Sequence, residues 1–540
     1  MKILSAAEMQ ACDRITSEQF GIPSLQLMRN AAEAVFTFAS QQFPQATRIT
    51  ILCGRGNNGG DGLMTARLFA AAGCAVTVLL LGDADGLRGD AKAAMQELLE
   101  PTLNERVSLR FIADAEEFAF HPDALAADLI LDAVLGTGFQ PPLRGLPLAA
   151  LEWIRASASR APILAIDLPT GWDADSTAAT AESAYPADAV ITFTVPKPAH
   201  VFGNLTRLWN QPIVVAPIGS PDEAIVSGLN LHWAGTAKFI TDIPRPTDAN
   251  KGNFGHVLVI GGSPGKSGAP AMAALTALRS GAGLVTAAVT PAVLPLVAAI
   301  APELMTQPLA TAPSGEISPE NLAPGSLKSL LSRITVIALG PGLGTSPEAV
   351  EFALGLLQAT SLPAVVDADA LNALATQPGN LAGVARCRTL ILTPHPGEMA
   401  RLTGLPTAEI QSSRLQIARE FAVRYQVTLV LKGSRTLIAH PDGRVAINTS
   451  GNPAMAKGGS GDLLTGMIAG LLAQHLDAPA EAVEAAVYLH GLAADITVEQ
   501  PGPGGDQHTL LATDSLANLY RAFRFHPQAE GRYCWLQGMP

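Results

Sequence analysis

The chain has 540 residues, 48% apolar and only 15% charged, with 35 Lys and Arg against 47 Asp and Glu for a net charge of −12. Disordered chains combine low hydrophobicity with high charge density, so this composition describes folded material, and at roughly 100–200 residues per domain the length suits two to four domains. The acidic balance excludes the basic surface of a nucleic-acid-binding protein.

Five cysteines (Cys12, Cys53, Cys74, Cys387 and Cys534) form neither a CxxC pair nor an even framework. That usage fits a reducing compartment, taken here as the cytoplasm, and gives no zinc-site signal. The opening MKILSAAEMQACDR carries Glu8 and Asp13 where a signal peptide needs an unbroken apolar core.

Short runs of Val, Ile and Leu ending at Gly or Asp mark buried parallel strands at 48–54, 75–82, 127–136, 162–169, 188–196 and 212–219. Helical patterns at 62–73 and 88–100 separate several of them. From 220 to 250 the pattern lapses into Pro, Asp, Gly and Thr. A second alternation follows through 255–262, 283–289, 335–342, 363–371, 388–394 and 427–433, with long helices over 461–474 and 479–498. The uncharged stretch between Arg279 and Glu303 is long enough to span a membrane, but Pro291 and Pro295 interrupt it. It reads as a buried strand and a short helix, and no membrane partner is expected. Repeated strand–helix alternation predicts an α/β protein of two three-layer α/β/α domains. Their expected extents are 1–220 and 235–515, with a linker region over 221–250 and a peripheral tail over 516–540.

In the first half CGRGNNGGDG (53–62) stands where a strand hands over to a helix. Glycines let backbone approach a ligand, and a helix N-terminus attracts phosphate. The same turn could equally be a tight junction with Asp61 as a cap. LDAVLGTG puts Asp132 at a second strand end, and IDLPTGWD puts Asp167 and Thr170 at a third. In open parallel sheets these ends converge, and amide, carboxylate and hydroxyl oxygens suit a hard cation.

These three motifs, with TFTVPKP further on, resemble the NAD(P)H-hydrate epimerase family over about residues 1–215, a Rossmann-like fold. The resemblance implies that Asn57, Asn58, Gly59, Gly60 and Asp61 hold the dinucleotide phosphates. It implies a K⁺ site lined by Asn58, Asp132 and Thr170, with Asp167 as acid/base. Gly136, Thr137, Gly138, Phe139, Gln140, Pro141 and Pro142 would cover the substrate. Ala32 stands where the family has Gly.

In the second half NTSGNPAMAKGGSGDLLTG (448–466) leaves glycine amides open before a helix, with Asp462 in its first turn. A carboxylate there can take a proton from a hydroxyl during phosphoryl transfer, or simply cap the helix. GGSPGKSGA (261–269), GPGLG (340–344), VDADALN (366–372), TPHPGE (393–398) and KGSRT (432–436) also follow strands. Together they point to one cleft at one sheet edge.

Over about 235–515 this half resembles the ribokinase-like superfamily through GGSGD, and more narrowly the ADP/ATP-dependent NAD(P)H-hydrate dehydratases. By that resemblance Lys432, Gly433, Ser434, Arg435, Thr436 and Gly461 contact the adenine nucleotide, ADP or ATP with Mg²⁺. Ala269, Gly344, His395 and Asp462 contact the hydrated dinucleotide, with Asp462 as base, and Lys266 replaces a family Met. The implied protein is a homo-oligomer that acts on a small-molecule dinucleotide and an adenine nucleotide, with no nucleic acid. GGSGD alone also fits a vitamin-precursor kinase fused to a dinucleotide-binding domain; HPGE and KGSRT favour repair. A non-catalytic dinucleotide sensor would lack a carboxylate at one site, yet Asp167 and Asp462 are both present.

Overall fold

Each apolar run singled out in the sequence forms a strand in the computed structural model, which describes all residues except 101–104, 158–160, 378, 380, 387, 530–532 and 540. Cys387 and part of the expected tail thus lie outside the described residues; Cys12, Cys53, Cys74 and Cys534 are free thiols. The chain divides into two units, Met1–Leu231 with His526–Pro540, and His232–Phe525.

The first unit holds β1 Arg48–Cys53, β2 Ala75–Leu81, β3 Val107–Ile112, β4 Leu129–Ala133, β5 Ile163–Ile166, β6 Ala189–Phe193 and β7 Ile213–Ala216. They pair in parallel in the order β3-β2-β1-β4-β5-β6-β7. Right-handed crossovers put helices on opposite faces as the order reverses between β1 and β4. That Rossmann-like reversal opens a crevice outside the carboxyl ends of those two strands. The central strands β4 and β5 are wholly buried, which is why they read as continuous apolar runs. β3 gave no such signal because it is an edge strand, buried only at Ile112.

Residues expected to form a peripheral tail instead divide between the units. Helices Ala512–Ala517 and Leu519–Arg524 belong to the second unit. Strands Gln528–Ala529 and Tyr533–Gln537 extend the first sheet, the latter antiparallel to β7. The Tyr533 hydroxyl donates to the Ala34 carbonyl at 3.0 Å, and the Tyr533 and Trp535 rings stand edge-on to Phe38, with centroids 5.4 and 6.1 Å away. A strand whose partner lies so far back in the chain leaves no local trace of its pairing.

The second unit's strands are β8 Leu231–Trp233, β9 His256–Ile260, β10 Leu284–Val289, β11 Met305–Pro308, β12 Val336–Leu339, β13 Ala364–Val366, β14 Leu390–Leu392, β15 Thr428–Leu431, β16 Leu437–Ala439 and β17 Val445–Ile447. Their order is β11-β10-β9-β12-β13-β14-β15-β16-β17-β8, parallel from β11 to β15 and antiparallel through β16 and β17. Part of the expected linker is therefore built into this sheet through β8: Trp233 is fully buried and its indole N–H donates to the Thr449 hydroxyl at 2.8 Å. The uncharged stretch forms β10 and the helix Leu294–Ala298, and among the described residues no helix is long and apolar enough to cross a membrane.

Helix Ser460–Gln474, which carries Asp462, lies close against Gly268–Arg279. A Cβ on Gly466 would come within 2.1 Å of the Ala273 carbonyl oxygen, so the approach requires glycine there.

Trp535 is 4% exposed. Trp535→Ala should cost about 3–5 kcal/mol, the usual loss for a buried large aromatic. Calorimetry should show a lowered melting transition, whereas a strand that merely rests on the surface would leave it in place.

Candidate functional sites

The glycine turn of the first half leads into helix Asn57–Ala71, with Gly56 as its N-cap in extended backbone. The helix starts earlier than the apolar pattern indicated, so Asn57 and Asn58 lie in its first turn. The glycines there mainly permit tight packing. A Cβ on Gly59 would sit 1.8 Å from the Gly54 carbonyl oxygen, and one on Gly62 would sit 2.5 Å from the Ala133 Cβ. The Gly60 N–H is already bonded to the Gly56 carbonyl at 3.0 Å. The amides of the turn preceding it keep the anion-attracting character of a helix start.

Asp132 ends β4 and is fully buried. It accepts the Thr170 N–H and hydroxyl, both at 2.7 Å, and the Val134 N–H at 3.2 Å. Burial pushes its carboxyl up to about 6 against those bonds. The Thr170 hydroxyl in turn accepts the Leu135 N–H at 3.0 Å. The Asn58 amide oxygen and nitrogen are both buried with no hydrogen-bond partner. A Cβ on Gly136 would stand 3.3 Å from the Asn58 side chain and 2.9 Å from Asp167 Oδ2. The loop after β4 thus meets Asn58 and Asp167 at Gly136 and Thr170 at Leu135, and amide, carboxylate and hydroxyl oxygens of this kind suit a hard cation.

Asp167 follows β5 with φ at +65°, a backbone region that non-glycine residues seldom occupy. Its Oδ2 accepts the Thr137 N–H at 3.0 Å. Its Oδ1 accepts the Thr192 hydroxyl at 2.9 Å and the Lys197 ammonium at 3.0 Å. Burial would raise this carboxyl, but Lys197, His200 and Thr192 outweigh it and hold the group below its ordinary value. His200 Nδ1 accepts the Lys197 N–H at 3.1 Å, so Nε2 carries the proton donated to the Asp167 carbonyl at 2.7 Å. Burial lowers His200 to about 4, which keeps this imidazole neutral.

Lys197, Thr192 and His200 had no role in the sequence reading, although TFTVPKP holds two of them; their roles need the fold to bring β5 and β6 side by side. Asp13, on helix Ala6–Phe20, was also missed: burial lifts its carboxyl to about 6, and Lys197 and Asp167 both act on it. Asp61 is pushed well above its usual range by burial and by Asp167 and Asp13. In the loop bearing the cis Pro141–Pro142 bond, Gly138, Gln140, Pro141 and Pro142 are exposed, while Phe139 packs on an apolar cluster with Leu143 and Ile154.

In the second half Gly459, at φ +97°, caps the helix that carries Asp462 in its first turn. Burial raises Asp462 to about 6; Asp367 and Asp369 add to the rise and Lys432 opposes it. Lys432, just past β15, reaches Asp367 Oδ1 at 2.8 Å and Glu398 Oε2 at 3.8 Å. Thr465 donates to Asp367 Oδ2 at 2.7 Å. Burial works against the Lys432 charge, but Asp367 and Glu398 prevail and raise its pKa. Gly461 faces this pair: a Cβ there would lie 3.5 Å from the Lys432 ammonium and 3.8 Å from Asp367 Oδ2.

His395 caps helix Pro396–Thr403: its Nδ1 accepts the Gly397 and Glu398 N–H groups at 3.0 and 3.3 Å, leaving Nε2 protonated toward Glu398 at 3.5 Å. Asp369 Oδ2 accepts the Gly344 N–H at 2.9 Å and the Lys266 ammonium at 3.0 Å. Ala269 stands near Gly342, whose Cβ would be 3.4 Å from its own. Lys432, Gly461, Asp462, His395, Gly344 and Ala269 are thus linked through shared neighbours at one sheet edge. The Arg435 side chain instead donates inward to the Thr449 carbonyl at 3.0 Å, and the Thr436 hydroxyl to the Gly433 carbonyl at 2.9 Å. Gly433 and Ser434 are exposed on that strand exit.

Comparison with known proteins follows the same division. A family profile described as NAD(P)H-hydrate dehydratase matches residues 257–515, and one described as YjeF-related protein N-terminus matches 24–199. A "bifunctional NAD(P)H-hydrate repair enzyme Nnr" of Moorella thermoacetica is 41% identical over 521 residues, covering 96% of this chain and 95% of that one. The protein of the same name from Coxiella burnetii is 37% identical, covering 95% and 97%. A solved ADP/ATP-dependent NAD(P)H-hydrate dehydratase from Bacillus subtilis is 35% identical, with 53% of this chain and 96% of that one covered and a TM-score of 0.45. With both halves matched and relatives aligned along nearly their full length, the chain belongs to the family of bifunctional NAD(P)H-hydrate repair enzymes.

Proposed function

We propose that the protein returns hydrated NADH and NADPH to the reduced coenzymes in two reactions, one in each unit. The first unit interconverts the R and S hydrates. The second dehydrates the S form with ADP or ATP, releasing phosphate and AMP or ADP. The observation that carries this reading is a repeated arrangement. Each unit sets a buried aspartate against a lysine ammonium, 3.0 Å apart for Asp167–Lys197 and 2.8 Å for Asp367–Lys432, beside a glycine-led helix start at the carboxyl edge of its sheet.

Hydration leaves a hydroxyl on the carbon next to the ring nitrogen. For epimerisation Asp167, held ionised by Lys197, begins as the base. It takes the hydroxyl proton, the carbon–nitrogen bond opens with its electron pair passing to the ring nitrogen side, and closure from the other face returns the proton. Asn57–Asp61 hold the dinucleotide phosphates in this reading, and Gly136–Pro142 cover the ring. The orphaned Asn58 amide, with Asp132 and Thr170, fits K⁺, which would supply positive field near the substrate.

Hydroxide is a poor leaving group in the second reaction. Asp462 takes the proton of the substrate hydroxyl as its oxygen accepts the terminal phosphoryl group of the nucleotide. The ring nitrogen lone pair then expels phosphate, and loss of the neighbouring carbon's proton restores the dihydropyridine. Lys432, Gly433, Ser434, Arg435, Thr436 and Gly461 form the proposed nucleotide side of the cleft. Ala269, Gly344 and His395 form the dinucleotide side. Mg²⁺ on the nucleotide phosphates suits the hard carboxylate oxygens of Asp369, and would neutralise charge there. The reading places a homo-oligomeric enzyme in the cytoplasm, supported for the compartment by the free thiols.

Purified protein incubated with both hydrate epimers should recover all the reduced-nicotinamide absorbance with ADP or ATP, and none without nucleotide. Asp462→Ala should lower that recovery by about 10²–10⁴-fold while epimer exchange continues, and Asp167→Ala should do the reverse. Either variant with both activities intact would refute the division of labour.

The two reactions should also separate with pH. Asp462, raised to about 6, loses its basic form as pH falls through that value, whereas Asp167 stays ionised. At pH 5 the dehydration rate should drop to about a tenth of its plateau, one unit below the pKa, with epimerisation little changed. Lys197→Met removes the ammonium that keeps Asp167 ionised, so the acid limb of the epimerisation profile should move to higher pH; an unmoved limb would detach Lys197 from the reaction.

A further inference from the structure

Away from both clefts, three side chains from three separate elements converge in the second unit. His232 lies on β8, His440 directly follows β16, and Glu484 is on helix Pro479–Glu499. His232 Nε2 and His440 Nε2 approach the same carboxylate oxygen, Glu484 Oε1, at 2.7 and 2.8 Å. The imidazoles lie nearly parallel, their planes 18° apart and their centroids 6.4 Å apart. One ligand atom from each residue lies within 4.8 Å of the other two. His440 and Glu484 are buried, while the His232 side chain keeps 18% of its exposure.

We propose that His232, His440 and Glu484 form a binding site for a borderline-soft divalent cation, Zn²⁺ foremost, that clasps β8 and the β16–β17 hairpin to helix Pro479–Glu499. Two imidazole nitrogens and one carboxylate oxygen are a zinc donor set, with a fourth position for water. Zinc bonds of about 2.0–2.2 Å in a tetrahedron set neighbouring ligand atoms roughly 3.3 Å apart. The two nitrogen–oxygen contacts would open by about half an ångström to reach that spacing, and the two imidazole nitrogens already lie within 4.8 Å of each other. The exposed edge of His232 gives the ion its way in and room for the water. In the metal-binding form, where each imidazole offers a nitrogen lone pair, the ligands carry only the negative charge of Glu484, which a divalent cation more than balances in a buried place. Hard cations such as Mg²⁺ favour oxygen ligands and would not compete here. The clasp would also steady the catalytic region indirectly, because helix Pro479–Glu499 packs on the helix bearing Asp462.

The test uses the full-length protein, freed of metal with a chelator and titrated with Zn²⁺ alone in excess Mg²⁺, which fills carboxylate sites in the nucleotide cleft. One equivalent of Zn²⁺ should bind and raise the melting temperature, and Co²⁺ in its place should give the intense visible bands of a four-coordinate centre. His232→Gln alters the part-exposed ligand and should fold normally, with Zn²⁺ affinity lowered about 100-fold or more and the thermal shift lost. Glu484→Gln should do the same, whereas Asp462→Asn should still bind one equivalent. If the wild type binds no Zn²⁺ beyond what Mg²⁺ displaces, or Co²⁺ gives only the pale octahedral spectrum, the site is a hydrogen-bonded His–Glu–His clasp and the proposal fails. Equal Zn²⁺ affinity in wild type and His232→Gln would overturn it as well.

Discussion

A lysine ammonium placed against a buried aspartate at the carboxyl edge of a parallel sheet is the interaction on which both halves rest. A carboxylate taken out of water without a partner protonates or is not tolerated. Lys197 beside Asp167 and Lys432 beside Asp367 give each buried carboxylate a cationic partner. In each case a threonine hydroxyl completes the arrangement, Thr192 at 2.9 Å and Thr465 at 2.7 Å. Breaking either pair would strand a buried charge, which costs far more than the pair itself contributes.

The same device has opposite acid–base consequences in the two units. In the first, the paired aspartate faces the proposed chemistry itself, so its lysine lowers its proton affinity. In the second, the paired aspartate is a neighbour: Asp367 engages Lys432, and Asp462 beyond it is buried and feels the charges of Asp367 and Asp369. Its proton affinity rises toward neutrality, where a general base takes up a proton best. One unit therefore holds a carboxylate whose proton affinity is lowered, the other a carboxylate poised to change state.

The local signals were strong where the chemistry depends on neighbours in the chain. The glycine turn at 53–62, the strand-ending Asp132 and Asp167, and GGSGD with Asp462 can all be read from a few adjacent residues. What those glycines do was only partly legible: Gly59 and Gly62 serve close packing against Gly54 and Ala133. Lys197, Thr192, His200 and Asp13 carried no decisive signal, since each acts on a residue from another element. The positive φ of Asp167 was likewise invisible, because nothing about an aspartate announces the backbone region it occupies.

By itself the sequence determined the alternation of strands and helices, the division into two α/β halves and the motifs at the strand exits. Buried strands demand unbroken apolar runs, and turns before helices demand glycine and short polar residues, all within one short window. Only the tertiary structure decided the order of strands, the entry of Tyr533–Gln537 into the first sheet, the incorporation of β8 into the second, and the meeting of His232, His440 and Glu484. Each of these joins residues far apart along the chain. Such pairings are selected by shape and charge after the backbone has folded back on itself, and periodicity along the chain carries no record of them.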